Sequence, residues 1–184
     1  YTAAQLRWAL VNKKSLELKN DVDLGGRNPA NNWSPVADPG SITIEGNGHT
    51  IYNMYTAGSG TVGMISTVGR ASTGFKMQNL RFRYCHVESS GQYSGVAVGW
   101  LLAGKMKQVS VEDSIVHGAA HTGGIVSGWN GDGSTSLDSF YVHMDQCHVR
   151  NVTTYGTSCV GSFVGPVSGY KITNSYSIDS YDIS

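Results

Sequence analysis

The hydrophobic pattern begins with a short helical stretch. Within residues 2–14, Leu6 and Leu10 recur at helical spacing and share one narrow apolar face. Thr2 and Gln5 have the spacing of a capping box, in which each side chain accepts a hydrogen bond from the other residue's backbone N–H. We therefore predict one helix over 2–14, with its apolar stripe against the edge of a core.

From Ser15 onward, apolar positions alternate with polar ones, which is typical of β-strands. One pattern then recurs: an apolar residue, any residue, a second apolar residue, any two residues and then a small residue. It begins at Leu80, Val109, Val142 and Tyr170, with successive offsets of 29, 33 and 28 along the chain. A period of about 30 residues predicts a solenoid, because such a short unit cannot bury its own apolar face and must stack on its neighbours.

These patterns predict an all-β fold: a right-handed parallel β-helix (solenoid) of about five to six rungs, where a rung is one circuit of the chain. The chain, 1–184, is expected to form one domain. Residues 1–14 would be a helix that caps the first rung, because an open sheet edge invites aggregation. Residues 15–50 would form irregular first rungs and a loop, and 51–184 the degenerate repeats of about 30 residues.

Stacking would arrange side chains in columns, with one residue from each rung about every 4.8 Å. Cys85 and Cys147 would lie two rungs apart in one inward column, about 9.6 Å by that spacing, which is too far for a disulfide. We predict that both are buried thiols. A neighbouring column would place Arg83 beside Glu112 on adjacent rungs. Another column would form a polar corner from Tyr84, Asp113, Gln146 and Asn174.

Composition and charge exclude two classes of partner. The 13 basic and 13 acidic residues cancel, and the sequence shows no basic run, so we expect no nucleic-acid partner. No apolar run approaches the roughly 20 residues that span a bilayer, so we expect no membrane insertion. The chain starts at Tyr1 without a methionine, which favours a piece of a larger protein with adjacent domains.

Several phrases of the chain resemble bacterial cell-surface proteins with GLUG repeats. The family pattern has an opening helix, an acidic strand end, a Trp-Pro loop, a strand–turn–strand and Gly-flanked apolar pairs. The matching segments are 3–14, Asp21-Val22-Asp23-Leu24-Gly25, Trp33-Ser34-Pro35-Val36, Gly46-Asn47-Gly48-His49-Thr50-Ile51 and phrases that begin at Gly63, Gly95, Gly124 and Ser162. No phrase reproduces the family's Gly-hydrophobic-hydrophobic-Gly tetrapeptide in full. Ser66 and Ser127 stand in place of its last glycine, and Ser162 stands in place of its first.

The resemblance implies a location and a general role. Proteins of this kind are secreted or cell-wall anchored, as adhesins or as N-terminal parts of immunoglobulin A proteases and other large surface enzymes. An extracellular location is therefore expected, with a host or microbial glycan or a surface protein as partner. The repeats of the family carry no known catalytic residues, so the resemblance implies no catalytic site here.

Candidate chemistry in the sequence is sparse. His49 is interpreted as a turn histidine that bonds the adjacent rung, because no second metal ligand is near it. His86 and His148 would share an outward column with Ile115 between them, about 9.6 Å apart, too far to bind one metal. No cofactor is expected. Asp132 and Asp138 flank a Gly/Ser-rich loop, where calcium is an alternative to a plain loop.

A carboxylate pair is a further candidate, because parallel β-helices host polysaccharide lyases and glycoside hydrolases. Glu112 and Asp145 would approach the spacing of about 5–9.5 Å that glycoside hydrolysis needs. Arg83 would neutralise Glu112, however, and shared fold alone is a poor guide to activity. Catalysis within this chain is therefore the least favoured hypothesis.

Aromatic residues form the most suggestive surface pattern. Trp100 and Trp129 each follow a glycine, and their offset of 29 matches that of the strands, so they could stack as an exposed platform. Exposed aromatic rings stack on sugars or on partner proteins. The pair depends on aligning Gly95 with Gly124; alignment with Gly123 would break it. The candidate ligand-binding residues are Trp100, Trp129, Tyr93, Tyr141 and Tyr155.

The sequence is compatible with three functions. The preferred one is a non-catalytic module of a secreted or surface-anchored protein, for adhesion or as a structural spacer. The second is a carbohydrate-binding module that uses the aromatic face and is attached to a glycan-degrading enzyme or a protease. The third is a polysaccharide lyase or glycoside hydrolase.

Overall fold

We describe the protein from a computed structural model, which defines residues 1–26, 28–128, 141–167 and 169–183. The helical elements are the α-helix α1 (Ala3–Val11) and a 3₁₀ turn (Pro29–Asn31). The strands, numbered in chain order, are β1 (Leu16–Glu17), β2 (Val22–Asp23), β3 (Val36–Ala37), β4 (Thr43–Glu45), β5 (Thr50–Tyr52), β6 (Tyr55–Gly58), β7 (Ile65–Val68), β8 (Lys76–Arg83), β9 (His86–Ser89), β10 (Tyr93–Ser94), β11 (Val98–Leu101), β12 (Gly104–His117), β13 (His121–Gly123), β14 (Val126–Gly128), β15 (Val142–Asp145), β16 (His148–Tyr155), β17 (Val160–Gly161), β18 (Val164–Val167), β19 (Tyr170–Thr173), β20 (Tyr176–Ile178) and β21 (Tyr181–Ile183).

Helix α1 is the predicted N-terminal helix. Thr2 and Gln5 form the predicted capping box. The helix ends at Val11, earlier than predicted, since Asn12 caps it and Lys13 takes a left-handed backbone with φ 54°. Its buried residues join the core of the first rungs: Leu6, Ala9 and Leu10. Among the described residues, no helix is long and apolar enough to cross a lipid bilayer.

The strands stack in parallel to form a solenoid of about five rungs, so the predicted fold class is confirmed. Each rung passes through three short faces of one large sheet and then through two smaller sheets. Face 1 contains β1, β4, the start of β8, the start of β12, β15 and β19. Face 2 contains β2, β5, the end of β8, the middle of β12, the start of β16 and β20. Face 3 contains β6, β9 and the ends of β12 and β16, with β21.

The two smaller sheets close each rung. One consists of β10, β13 and β17, and the other of β3, β7, β11, β14 and β18. The core lies inside the circuit, where apolar residues from all faces form one continuous cluster. Trp33 is buried against it, and its indole N–H donates to the carbonyl oxygen of Met64 at 2.9 Å.

The register of the repeats differs from the prediction at one step. Val109 lies opposite Leu80, and Tyr170 lies opposite Val142, as the offsets of 29 and 28 require. Val142, however, lies opposite Gly104 rather than Val109, so the middle offset of 33 is wrong. The true offset is longer, and the additional residues precede β15, in the part of the chain from 129 to 140 that lies outside the described residues.

This error of register has a physical cause. Within the large sheet, each rung turns two corners, one between faces 1 and 2 and one between faces 2 and 3. Both corners repeat the same spacing of inward-facing residues, because each uses one residue in the left-handed conformation between two short strands. A pattern that crosses the first corner, beginning at Val142, therefore resembles one that crosses the second corner, beginning at Val109.

The two corners are ladders of left-handed residues, all with φ between 47° and 57°. The first corner contains Asn47, Asn79, Gln108, Gln146 and Asn174. The second corner contains Asn53, Tyr84, Asp113, Asn151 and Asp179. Asparagine and aspartate tolerate this backbone best, because their short polar side chains can hydrogen-bond locally. The single polar corner predicted from Tyr84, Asp113, Gln146 and Asn174 is therefore wrong: two of these residues belong to each corner.

The cysteines follow the corrected register. Cys85 lies beside Ser114, whose hydroxyl accepts the Cys85 backbone N–H at 3.0 Å. Cys147 lies in the other corner column and donates its backbone N–H to the hydroxyl of Ser175 at 3.0 Å. The shared column is therefore wrong, but both are buried thiols as predicted, and Cys159 is exposed. Burial raises the pKa of the Cys147 thiol to about 11.

Candidate functional site

A polar groove runs along the outside of the first corner, parallel to the axis of the solenoid. Its volume is about 590 Å³. Because it collects residues from every rung between β4 and β20, it extends for about 19 Å by the usual spacing of stacked strands. The lining residues are Asn47, Gly48, Asn79, Leu80, Arg81, Gln108, Ser110, Gln146, His148, Asn174 and Tyr176.

The corner amides of the groove fall into two groups. Asn79 and Asn174 donate their side-chain N–H groups to carboxylates on the preceding rung, Glu45 at 3.0 Å and Asp145 at 2.8 Å. Asn47 is bonded in the same way to Glu17. Between them, the exposed side chains of Gln108 and Gln146 form no hydrogen bond within the described part of the chain. The middle of the groove therefore presents two amide groups that are available to a ligand.

Glu112, a buried carboxylate on face 2, holds Arg81 at the edge of the groove. Glu112 is only 7% exposed, and its Oε2 accepts from Arg150 Nη2 at 2.8 Å. Arg81 Nε lies 3.4 Å and Arg83 Nε lies 3.5 Å from the same carboxylate, so the predicted proximity of Arg83 and Glu112 is confirmed. The network holds Arg81 at the edge of the groove while its guanidinium remains half exposed.

The predicted proximity of Glu112 and Asp145 is wrong. In the observed register Glu112 lies opposite Arg150, and Asp145 lies opposite Lys107 and Thr173. The two carboxylates belong to different faces of the solenoid, so they cannot form the pair that glycoside hydrolysis requires.

The far end of the groove carries a stacked ring pair. His148 and Tyr176 lie on consecutive rungs with centroids 4.9 Å apart and planes within 7°. Tyr176 is 56% exposed, so its ring is accessible beside the groove. The predicted column of His86, Ile115 and His148 is wrong, because His148 lies opposite Ser110 on face 2, whereas His86 and Ile115 lie on face 3.

A basic column flanks the groove on face 1, although the sequence shows no basic run. Stacking brings together one residue from each of four consecutive rungs: Lys76, Lys105, His143 and Lys171. In the described residues, the three lysines have no carboxylate within ion-pair distance. Lys76 and Lys105 lie on adjacent rungs, and stacked like charges are destabilising, so an anionic ligand on this face would relieve their repulsion.

The aromatic residues predicted as a binding platform are divided among several parts of the structure. Tyr93 is buried, at 7% exposed, and Trp100 stacks on it with centroids 4.8 Å apart and parallel planes. Val98 lies opposite Val126, an offset of 28, so Gly95 aligns with Gly123 and the offset of 29 that paired Trp100 with Trp129 is wrong. Trp129 itself lies outside the described residues.

The two remaining tyrosines are exposed but lie on other faces of the solenoid. Tyr141 precedes β15 on face 1 and is 39% exposed. Tyr155 ends β16 on face 3, where its ring packs edge-on against His117 at 4.4 Å. Tyr141 and Tyr155 therefore lie on faces 1 and 3 of the large sheet, whereas Trp100 lies on β11 in a smaller sheet.

Of the remaining candidates, the structure describes His49 but not the predicted calcium loop. His49 Nδ1 lies 3.2 Å from Asp21 Oδ1 on the preceding rung, which confirms its interpretation as a turn histidine. Asp132 and Asp138, the alternative calcium ligands, lie outside the described residues.

Asp113 in the second corner should stabilise the fold in a pH-dependent way. The pKa of Asp113 is lowered by hydrogen bonds from Arg83 at 2.6 Å and from Asn151 at 2.9 Å. A lowered pKa in the folded state stabilises the fold at pH values above the ordinary Asp pKa of about 3.9, and this stabilisation is lost as the pH falls through the lower folded-state value. We expect Asp113→Asn to reduce the free energy of unfolding at pH 7, measured by urea denaturation. The difference from wild type should vanish near pH 2; curves that stay parallel would contradict the role of Asp113.

The groove presents polar hydrogen-bonding groups along its length. Amide, hydroxyl and guanidinium groups hydrogen-bond hydroxyl and carboxylate groups well. Its described lining residues include no Asp or Glu, whereas glycoside hydrolysis uses a pair of them in most families. Sequence reasoning missed this groove. The signal that could have indicated it is an amide residue that recurs two positions after each of Met77, Met106, Met144 and Ile172.

The fold and the groove define this chain as a parallel β-solenoid with a polar groove along one corner. Comparisons with models of protein families, with curated proteins and with solved structures find no match.

Proposed function

We propose that this chain is a non-catalytic module of a secreted or surface-anchored bacterial protein, and that it binds an extended glycan in the first-corner groove. The observation that carries the proposal is the pair of accessible amides of Gln108 and Gln146 in the middle of that groove. The spacing of rungs, about 4.8 Å, is close to the length of one pyranose unit in an extended polysaccharide, so successive sugars can meet successive rungs. The extracellular location rests on the resemblance to GLUG-repeat proteins.

The charges beside the groove favour acidic sugars. Arg81 lines the groove, and the basic column of Lys76, Lys105, His143 and Lys171 runs parallel to it on face 1. A uronic acid or sulfated sugar would place anionic groups against Arg81 and the lysines of the column, and guanidinium groups bind carboxylates and sulfate-like anions through paired hydrogen bonds. Only a few cations are present and the net charge is zero, which favours a glycan over a nucleic acid.

The test is a glycan array that contains acidic and neutral polysaccharides, followed by calorimetry with the strongest ligand. The double variant Gln108→Ala, Gln146→Ala should weaken binding by about 10-fold or more, since each lost hydrogen bond is worth about 0.5–1.5 kcal/mol. Gln92→Ala is the matched control, because Gln92 is an exposed glutamine just before β10 and away from the groove. The control should bind like wild type.

Two further variants separate the alternatives. Lys76→Gln, Lys105→Gln in one chain should weaken binding of acidic glycans and reduce its dependence on salt, while binding of neutral glycans stays unchanged. Binding that is lost with Trp100→Ala but kept by the double glutamine variant would move the site to β11. Absence of binding to every glycan would overturn the proposal and leave adhesion to a surface protein, or a spacer role, as the better account.

A further inference from the structure

Three side chains with metal-binding groups meet on the outside of face 3. His86 and Glu88 are alternate residues of β9, so both point outward. His117, at the end of β12, lies opposite Glu88 on the next rung. The cluster therefore depends on stacking, because Glu88 and His117 are a full repeat apart in the sequence.

The donor atoms of the cluster are close enough to share one ion. The three ligand atoms all lie within 4.8 Å of one another, and His86 Nε2 lies 3.0 Å from Glu88 Oε1. Zinc binds nitrogen and oxygen at about 2.0–2.2 Å, so neighbouring ligand atoms of a tetrahedral site are about 3.3 Å apart. His86 and Glu88 are already close to that separation. His117 is exposed, so its ring can rotate the remaining distance towards them.

The surroundings orient these ligands. The hydroxyl of Tyr55 donates to Glu88 Oε2 at 2.7 Å, which leaves Oε1 directed at His86. The rings of Tyr55 and Tyr155 pack edge-on against His86 and His117, at 5.4 and 4.4 Å, and limit how the imidazoles turn. Outer partners of this kind orient the ligands of metal sites. The cluster opens to solvent through a shallow depression of about 360 Å³ beside Gly118.

We propose that His86, Glu88 and His117 bind a divalent first-row transition ion, with Zn²⁺ as the best fit, and leave one coordination position open to solvent. Two imidazoles and one carboxylate suit zinc and its neighbours, whereas calcium and magnesium prefer oxygen ligands alone. The ion joins two adjacent rungs on the outside of the solenoid. It is independent of the groove, which lies at the other corner of face 2.

A simple side-chain contact is the competing explanation. His86 and Glu88 could form an ordinary hydrogen bond, with His117 near them by the accident of stacking. The two explanations differ in one measurable respect, because only a metal site makes stability depend on zinc concentration. A ligand that binds the folded state alone stabilises it by RT ln(1 + [L]/Kd), so the melting temperature rises with the concentration of that ligand.

The experiment uses the full chain with Cys159→Ser as the background of every variant, called wild type below, so that the exposed thiol cannot bind zinc. Metal is first removed with a chelator. Calorimetry with Zn²⁺ alone should show a site that His117→Ala weakens by more than about 100-fold and Tyr55→Phe by about 10–100-fold. Because His117 is exposed, its loss should leave the metal-free melting temperature unchanged. His49→Gln is the control, since it removes a histidine that bonds Asp21 on another face.

A second readout identifies the ligands. Added Co²⁺ should give the visible absorption of a four- or five-coordinate site in wild type and in His49→Gln, but not in His117→Ala or Glu88→Gln. The melting temperature of wild type should rise with added Zn²⁺, and that rise should vanish in the same two variants. Zinc binding or stabilisation of equal size in wild type and His117→Ala would overturn the proposal, as would the absence of any zinc binding.

Discussion

Replacement of Gly123 by alanine should unfold the solenoid or reduce its free energy of unfolding by at least about 3 kcal/mol, near the upper end of the range for overpacking. Gly123 belongs to a column of glycines, one from each of four rungs: Gly63, Gly95, Gly123 and Gly161. An added Cβ at Gly123 would collide with the carbonyl oxygen of Val126 and the backbone nitrogen of Gly165 on the next rung.

Both of these contacts are with backbone, so no side chain can move aside. The same column shows the same constraint at Gly95, where a Cβ would lie 2.7 Å from the Val98 carbonyl oxygen and 2.8 Å from the Val126 Cα. Adjacent rungs therefore keep their spacing at this position only if the residue has no side chain.

Urea denaturation, followed by circular dichroism, measures the loss. The matched control is Gly60→Ala, because no atom lies within 4 Å of the Cβ that it would add. We expect Gly60→Ala to change stability by less than about 0.5 kcal/mol. Equal effects of the two substitutions would show that the glycine column is not required for stacking.

Replacement of Phe82 by alanine should cost about 3–5 kcal/mol of unfolding free energy, because it leaves a cavity in the centre of the core. Phe82 is fully buried on face 2, between Ile51 on one rung and Val111 on the next. Each rung of a solenoid contacts only its neighbours, so a cavity in a middle rung weakens the interfaces on both sides of it.

An aromatic residue of the last described rung provides the control. Tyr181 is 65% exposed, so Tyr181→Ala removes little buried surface and should cost less than about 0.5 kcal/mol. Thermal and urea denaturation of both variants measure the contrast. A loss for Phe82→Ala that is no larger than that for Tyr181→Ala would contradict the placement of Phe82 in the core.

The sequence predicted the class of fold because its signals are local. The capping box of Thr2 and Gln5 needs only residues that are three positions apart, and the structure forms it. Alternation of apolar residues within each strand also decides which side chains face inward. The offset of 29 between Leu80 and Val109 was found because no insertion separates those two repeats.

The same local signals could not set every register. The pattern at Val142 was assigned to the wrong face, because the two corners have the same spacing and differ only in their place along the rung. That error displaced the polar corner and placed Cys147, His148 and Asp145 in columns to which they do not belong. A similar shift of one position, between offsets of 28 and 29, produced the aromatic pair of Trp100 and Trp129.

The candidate sites depend on register more than on residue type. Gln108 and Gln146 are far apart in the sequence, and the groove exists because both occupy the first corner of neighbouring rungs. His117 is near Glu88 for the same reason. Neither site lies within one stretch of the sequence, since each collects residues from two or more rungs.

By itself, the sequence determined that this protein is a β-solenoid with a helix at its start, because helix caps, strand alternation and a repeat of about 30 residues are encoded in local patterns. The tertiary structure alone decided which residues share a column across the inserted segment, since that segment shifts every later rung relative to the earlier ones. The polar groove, the basic column and the cluster of His86, Glu88 and His117 all follow from that stacking.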